Sequence, residues 1–430
     1  MLVAMATTPA RRDLALLFRR AGFGAGAAEL DAAEKVGYEA TVERLLTGLR
    51  TPPGGDKLAL PKLTGAQEGA GRAQDEAALI FWWMSRMVTT ATPLRERLVL
   101  FWHGHFATSI QKVRLATLML AQNQLFRQVG AGGFERLVQA VAKDPAMMIW
   151  LDSGKNDKTD PNENFARELL ELFTLGIGHY SEADVKEAAR AFTGWRFDRA
   201  SGLDRSPGFV LKADRHDDGV KTVLGHTGQL GGEDVIHLVV QEADSARFVA
   251  SRIWSHFARP AAPDDPVVAD LAAAYTAGGR TITPLLRAVF LHPEFRSDAT
   301  RNGLVKTPIA YVVGVLRALG VDVDGHIGQV LSDLAQLPFS PPSVAGWPQN
   351  GYWLTAASAL TRLAFAEEIV KRANLESIGS VPPAGRLDAV ARMLSIDEWS
   401  QPTAAALGPL ADDHRTLVAL ALTTPEYVLA

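Results

Sequence analysis

The sequence predicts a mainly α-helical protein, a large multi-helical single unit with a small β or loop insertion near residues 196–232. Most segments place apolar residues at i, i+3 and i+4, which is the period of an amphipathic helix. The stretch 196–232 lacks this period and is rich in Gly, Asp, His and Pro. With 47% hydrophobic and 21% charged residues, the chain has the composition of a globular protein with ample material for a core.

The helical segments follow one another from the first residues with apolar periodicity. One long helix is expected to start at Thr92-Pro93, because Thr suits the cap position and Pro the first helical position. Ser181 followed by Asp184 predicts a capping box at the start of another. Helices are predicted over residues 13–20, 27–34, 38–46, 73–89, from 92 onward, 115–129, 133–142, 163–175, 181–192, 233–240, 244–256, 265–277, 283–291, 305–319, 326–334 and 355–373.

The insertion is expected to hold two or three short strands or hairpins. Turn signals stand at Asp218-Gly219 and across Gly225–Gly228. Further on, the Pro-rich segment Ser380–Gly385 is the best candidate for a linker. The predicted organisation is therefore a helical body over 1–379 that carries the insertion 196–232, and a C-terminal helical extension over 380–430 packed on the body.

Composition narrows the functional classes. The net charge of −4 argues against a nucleic-acid partner, which usually requires a basic surface. The chain has no cysteine, so disulfides and thiol chemistry are excluded. No window approaches the roughly 18 apolar residues of a membrane span. The first residues lack an apolar run behind a basic flank, so the sequence as written predicts a cytoplasmic protein.

One side of the predicted helix 163–175 is polar, and its opposite side is apolar. At about 100° per residue, three carboxylates and a guanidinium share the polar side. They could supply a general acid and base or ligate a divalent ion. The alternative is a surface ladder of i, i+4 ion pairs. The polar residues, including two Asn at the helix start, are Asn162, Glu163, Asn164, Arg167, Glu168 and Glu171.

Two histidines, His103 and His105, lie in an apolar helical stretch. Because they are two residues apart, their side chains point about 160° apart and cannot share a metal unless the helix breaks at Gly104. No metal ligands are therefore assigned. One of them is expected to line a polar cavity, and the alternative is two buried, hydrogen-bonded imidazoles.

Two further groups are candidates for binding or chemistry. His216, Asp217 and Lys221 fall in the Gly-rich insertion, where they suit acid–base work or anion binding; the alternative is a solvated turn. The rings of Trp102, Trp195 and Trp347 could stack on sugar rings, although aromatic side chains more often anchor a core.

Several long motifs together resemble a known family. They are LLFRRAGFG, ERLVLFWHGHFATS, PNENFARELLELFTLGIGHYSEADVKEAARAFTGW, HDDGVKTVLG and PPSVAGWP, and the similarity extends from about Asp13 to the end of the chain. The chain resembles the bacterial "domain of unknown function 1800" family. The resemblance implies exported relatives and a partner similar to phosphatases and sulfatases. Where the family usually has His-Asn-His, this chain has His103-Gly104-His105, so no role is carried over to the middle residue.

The functional hypothesis is an enzyme with a polar cleft, most plausibly a hydrolase acting on a carbohydrate or a similar polar small molecule. The alternatives are a non-catalytic scaffold for a phosphatase- or sulfatase-like partner, and an enzyme whose cofactor is a divalent metal ion; the sequence identifies no other cofactor. The predicted catalytic residues are Glu163, Glu168, Glu171, His105, His216 and Asp217. The predicted substrate-binding residues are Asn162, Asn164, Arg167, His103, Trp102, Trp195, Lys221 and Trp347.

Overall fold

Helices make up most of the chain in the computed structural model, which describes residues 8–50, 58–198 and 208–429. These residues hold 24 α-helices and two two-stranded sheets, so the predicted mainly α fold class is confirmed. Within the same residues, no helix has both the length and the apolar character needed to span a bilayer.

The first nine helices include a central one, α5 (Pro93–His105), which packs against helices that come before and after it in the chain. Every residue of α5 except Gly104 is buried, as its all-round apolar pattern predicts. It starts with Pro93 at the first helical position and Thr92 at the cap. The nine helices are α1 (Pro9–Ala21), α2 (Ala27–Val36), α3 (Tyr38–Arg50), α4 (Gly69–Thr89), α5 (Pro93–His105), α6 (Ile110–Val113), α7 (Ala116–Val129), α8 (Phe134–Ala142) and α9 (Pro145–Trp150).

The helix predicted over 163–175 changes its winding partway. It starts as α10 (Asn164–Glu168) and continues as a π-helical turn over Leu169–Thr174, in which the Leu175 amide donates to the Leu170 carbonyl five residues back. Because a π turn holds more residues than an α turn, the expected face of 100° per residue is not kept beyond Glu168. The next helix, α11 (Glu182–Ala191), begins at the predicted capping box of Ser181 and Asp184.

The insertion holds two antiparallel hairpins. Strand β1 (Trp195–Asp198) pairs with β2 (Gly208–Leu211), and β3 (Lys221–Val223) pairs with β4 (His226–Gly228). The turn predicted across Gly225–Gly228 begins one residue earlier and consists of Leu224 and Gly225. Their φ angles of 49° and 80° are those of a type I′ hairpin turn. Residues 199–207 of the predicted insertion lie outside the described residues.

The remaining helices complete the body and the C-terminal region. The main buried cluster includes side chains from Leu16 to Val428, and the Ser395 hydroxyl donates to the Ala25 carbonyl at 2.5 Å. The boundary placed at 379/380 stays a prediction. These helices are α12 (Gly232–Gln241), α13 (Ala243–Phe257), α14 (Pro266–Ala277), α15 (Ile282–Leu291), α16 (Asp298–Arg301), α17 (Pro308–Leu319), α18 (Ile327–Asp333), α19 (Ala356–Arg372), α20 (Glu376–Gly379), α21 (Pro383–Leu394), α22 (Gln401–Leu407), α23 (His414–Ala421) and α24 (Pro425–Val428).

A buried ion network fixes the rotation of α5. The Glu96 carboxylate accepts hydrogen bonds from Arg127 Nε at 2.7 Å, from Arg127 Nη2 at 2.8 Å, from Trp83 Nε1 at 3.0 Å and from Arg86 Nε at 3.1 Å. Burial by itself raises the pKa of Glu96, but the attraction of Arg127 and Arg86 holds that pKa below its usual value. The carboxylate therefore stays ionised inside the protein.

A second buried carboxylate, Asp144, caps α9. Its Oδ2 atom accepts from Gln122 Nε2 at 2.7 Å and from the Met147 amide at 2.9 Å. Burial raises the pKa of Asp144 to about 7, even though these hydrogen bonds lower it. Between about pH 4 and 7, the folded protein then holds a proton that the unfolded chain releases. This group's contribution to stability is therefore full at acid pH and falls as the pH rises towards 7.

Replacing Asp144 by Asn is expected to remove this part of the pH dependence, because Asn stays neutral and still accepts at a helix cap. The difference in unfolding free energy between wild type and Asp144→Asn should change by at most about 1.4 kcal/mol per pH unit between about pH 4 and 7. Urea unfolding at several pH values measures it. A difference that stays constant over this range would contradict the assignment.

Candidate anion-binding site

The residues of the predicted polar helix face take part in contacts near the surface. Arg167 Nη2 lies 3.0 Å from Glu163 Oε2, and Arg167 Nη1 lies 2.7 Å from Glu182 Oε1. Glu171 Oε2 accepts from the Tyr180 hydroxyl at 2.7 Å. Glu168 is half-buried, and burial followed by repulsion from Glu171 raises its pKa. The face thus contains the ion pairs of a surface ladder together with one perturbed carboxylate.

At the start of this helix, the Asn162 side chain hydrogen-bonds to the backbone. The Asn162 side-chain oxygen accepts from the Asn164 amide at 3.0 Å. The Asn162 amide in turn donates to the side-chain oxygen of Asn156 at 2.9 Å. These contacts shape the turn that precedes α10.

Both histidines of α5 lie deep in the core. His105 Nε2 donates to the Phe173 carbonyl at 3.0 Å, and its buried Nδ1 has no partner among the described residues. His103 Nε2 accepts from the Phe339 amide at 3.0 Å, and its ring centre lies 5.3 Å from that of Trp347. Burial lowers the pKa of both imidazoles to about 3, so both are neutral at pH 7.

The predicted residues of the insertion are held by their neighbours. Asp217 pairs with Arg190, with Arg190 Nε 2.7 Å from Asp217 Oδ2. Lys221 Nζ donates to the carbonyls of Asp217 and Gly219 at 2.5 and 3.0 Å. His216 Nδ1 donates to the Thr193 carbonyl at 2.8 Å. These contacts tie the second hairpin to α11.

The two remaining aromatic candidates are buried. Trp102 is 0% and Trp195 is 5% exposed. Trp102 Nε1 donates to the Gly130 carbonyl at 2.9 Å, and Lys143 Nζ lies 5.4 Å from the Trp195 ring centre. Both rings serve as core anchors in this conformation.

In the described parts of the chain, the predicted groups make no direct polar contact with one another. The carboxylate face, the two histidines and the insertion residues share no side-chain hydrogen bond or ion pair with one another within the described chain. In those same residues, no three His, Cys, Asp or Glu side chains are arranged to hold a metal ion. A hydrolase role stays a prediction, which a comparison of glycan hydrolysis by wild type and Glu168→Gln would test.

A different set of residues, all basic, meets around an internal cavity. Arg19 and Arg20 come from α1, Arg97 from α5 and His256 from the end of α13, while Lys306 precedes α17. We call these five residues the cationic cluster. Sequence reasoning missed it, although the pair Arg19-Arg20 was a usable signal: adjacent helical residues point about 100° apart, so a helix that buries Leu16, Leu17 and Phe18 also turns one arginine inward.

The three most buried cations of the cluster have little or no polar compensation. Arg20 is 0% exposed; its Nη2 donates to the Thr300 carbonyl, but its Nε and Nη1 have no hydrogen-bond partner in the part of the chain that the structure describes. Arg97 is 6% exposed, its Cζ lies 5.6 Å from the centre of the Phe23 ring, and its buried Nε has no hydrogen-bond partner within the described residues. Lys306 is 8% exposed, and its Nζ lies 3.5 Å from the centre of the Tyr427 ring.

Arg19 differs, because it has a counterion. Its Nη1 and Nη2 each lie 3.1 Å from an oxygen of Asp397. Its Nη1 also donates to the Ser395 carbonyl at 2.5 Å. The C-terminal region therefore contributes the carboxylate that neutralises one of the four long basic side chains.

Four members of the cluster, all except Arg20, line an inner cavity of about 50 Å³. This volume exceeds severalfold the roughly 10–15 Å³ that a single water requires by the same measure. No carboxylate of the described residues lines it. The lining side chains that can donate hydrogen bonds or carry charge are Arg19, Arg97, Ser255, His256, Lys306, Thr307, Gln349 and Asn350.

A larger outer cavity of about 340 Å³ adjoins the inner one and shares Arg19, Phe23 and Lys306 with it. Its walls come from the turn after α1, the end of α17 and the segment after α21. The apolar side chains that line it include Phe23, Val88, Leu316, Met393 and Tyr427.

Burial, and then repulsion between its members, lower the pKa values of residues in the cluster. Burial, and then the charges of Arg19, Arg20 and Arg97, hold the pKa of Lys306 far below its usual value. Burial, and then Arg97, Arg252 and Arg20, do the same to the pKa of His256. Burial lowers the pKa of Arg97 to about 10, so this guanidinium is still charged at neutral pH. The positive charge at the cavity therefore comes mainly from its arginines.

Comparisons with known proteins identify a family for this chain but give no activity. The sequence model of one family, described as "Protein of unknown function (DUF1800)", matches residues 16–429. No curated protein and no solved structure matches the chain.

Proposed function

The chain belongs to this family of unknown function, DUF1800, and on that premise we propose that it binds a small oxyanion group in the inner cavity. The observation that carries the proposal is the burial of Arg97 and Lys306 at the cavity wall and of Arg20 near them, none of which has a carboxylate partner among the described residues. Phosphate, sulfate and carboxylate groups share the required chemistry.

Buried charges in proteins are normally paired, because desolvation of a lone charge is very unfavourable. Lys306 can avoid this penalty by losing its proton, but arginine remains protonated. The charges of Arg20 and Arg97 therefore persist, and an anion in the cavity would compensate them. The forked guanidinium group also matches two oxygens of an oxyanion at once.

The start of α17 provides further support. This helix of 12 residues begins at Pro308, and its cap residue Thr307 lines the inner cavity. Helix N-termini favour anions, because the helix dipole places partial positive charge there. At this helix the support comes from the dipole and the Thr307 hydroxyl, since Pro308 has no amide hydrogen and the Ile309 and Ala310 amides donate to Gln336 and Thr307. The Thr307 Oγ1 atom accepts from the Ala310 amide at 3.3 Å, which leaves its hydrogen available to a ligand.

Calorimetric titration with inorganic phosphate and inorganic sulfate tests the proposal. We expect Arg97→Gln to weaken binding by about tenfold or more, because a hydrogen bond to a charged group contributes roughly 1.5–3 kcal/mol. Arg287→Gln is the control, since that arginine pairs with Glu43 at the surface. Equal affinity of wild type and Arg97→Gln, or no binding by wild type, would refute the anion site.

A further inference from the structure

We infer that the ligand is a phosphate monoester whose phosphate group occupies the inner cavity and whose uncharged body occupies the outer cavity. This inference rests on the proposed anion site and adds two features to it: the charge of the anionic group and the presence of a body attached to it.

The charge of the bound group is inferred from the balance between basic and acidic side chains in the cationic cluster. Arg19 is neutralised by Asp397, which leaves Arg20, Arg97 and Lys306 with no carboxylate partner in the described chain. A phosphate monoester carries about −1.5 to −2 at neutral pH, whereas a carboxylate or a sulfate ester carries only one negative charge. The doubly charged group compensates this cluster better, and its three terminal oxygens suit donors that approach from several elements.

We infer that the anionic group carries an attached body from the sizes of the two cavities and from the wall that they share. The inner cavity, at about 50 Å³, has room for little beyond the anionic group. The outer cavity, at about 340 Å³, lies within the range of roughly 300–1,000 Å³ that is typical of small-molecule pockets. Because Arg19, Phe23 and Lys306 border both, a group held by these cations can extend its ester substituent into the outer cavity.

The lining of the outer cavity indicates what kind of body it accepts. Phe23 and Tyr427 present aromatic rings, and Thr89, Thr90 and Ser395 add hydroxyl groups. Two acidic residues, Glu29 and Asp322, also line this cavity, and their carboxylates can accept hydrogen bonds from hydroxyl groups of the body. Arg317 is occupied by the carbonyls of Met87, Val88 and Thr90. A compact body with apolar and hydroxyl-bearing faces, about the size of a sugar, matches this surface.

Titrations with four probes test the inference: inorganic phosphate, inorganic sulfate, glucose 6-phosphate and glucose 6-sulfate. We expect glucose 6-phosphate to bind about tenfold more tightly than inorganic phosphate, and about tenfold more tightly than glucose 6-sulfate. Ala318→Phe should remove the advantage of the ester over inorganic phosphate, because Ala318 lines only the outer of the two cavities. Ala273→Phe, at an exposed position on α14, is the control.

The outcomes separate the inference from the proposed function. If inorganic phosphate and glucose 6-phosphate bind equally, or if Ala318→Phe affects both equally, the body is not in the outer cavity and the inference is wrong while the anion site stands. Equal binding of the phosphate and sulfate esters would overturn the charge assignment. If none of the four probes binds, the anion site itself fails.

Discussion

Lys306→Met is expected to make the ligand-free protein more stable and to abolish the stabilisation that phosphate provides. Methionine keeps most of the length of the side chain and fills irregular space. It removes a buried amine whose charged form is disfavoured by burial and then by Arg19, Arg20 and Arg97. Replacing buried ionic groups by apolar ones of similar volume can stabilise a protein by about 1–4 kcal/mol. We expect a gain in that range.

The response to phosphate is the second half of this prediction. A ligand that binds only the folded state raises its stability by about 2.7 kcal/mol at a concentration 100 times its Kd. Wild type should gain this amount in urea unfolding, and Lys306→Met should gain close to nothing at the same concentration. Lys371→Met, at a lysine whose side chain is 71% exposed, controls for general effects of charge removal.

This combination distinguishes a binding group from a structural one. A lysine that served the fold would destabilise the ligand-free protein when replaced, whereas one retained for an anion destabilises it when present. A Lys306→Met variant that is less stable than wild type and still gains stability from phosphate would contradict the anion site.

The elements were predictable where a local pattern determines the structure. The all-round apolar stretch after Leu98 indicated a central helix, and α5 is central. Ser181 and Asp184, three residues apart, indicated a capping box, which the structure contains. In each case, the interacting groups are neighbours in sequence, so their spacing carries the information.

The location of a site was harder to predict, because periodicity reports which side of a helix is polar and not what that side meets. A solvated ladder and a cleft wall have the same pattern on the helix 163–175. The cationic cluster has no pattern of this kind: Arg19, Arg97, His256 and Lys306 are brought together only by the packing of distant segments. Their burial, which makes the site recognisable, is a property of the whole fold.

Glu96→Gln is expected to lower the unfolding free energy by about 3–5 kcal/mol, which is the usual consequence of removing one partner of a buried ion pair. Glutamine is almost isosteric, so the loss would come from removing the carboxylate that pairs with Arg86 and Arg127, whose side chains are 5% and 0% exposed. Glu43→Gln is the matched control, since Glu43 also pairs with an arginine but is 49% exposed, and it should change stability by less than about 1 kcal/mol.

The same variant tests how α5 is oriented towards the cavity. Glu96 and Arg97 are adjacent, so the network that holds Glu96 against α4 and α7 also determines which way Arg97 points. At a temperature where Glu96→Gln remains folded, we expect phosphate binding to weaken although no cavity-lining residue has changed. Urea unfolding and calorimetric titration measure the two effects, and a Glu96→Gln variant as stable as Glu43→Gln would show that the buried network does not hold α5 in place.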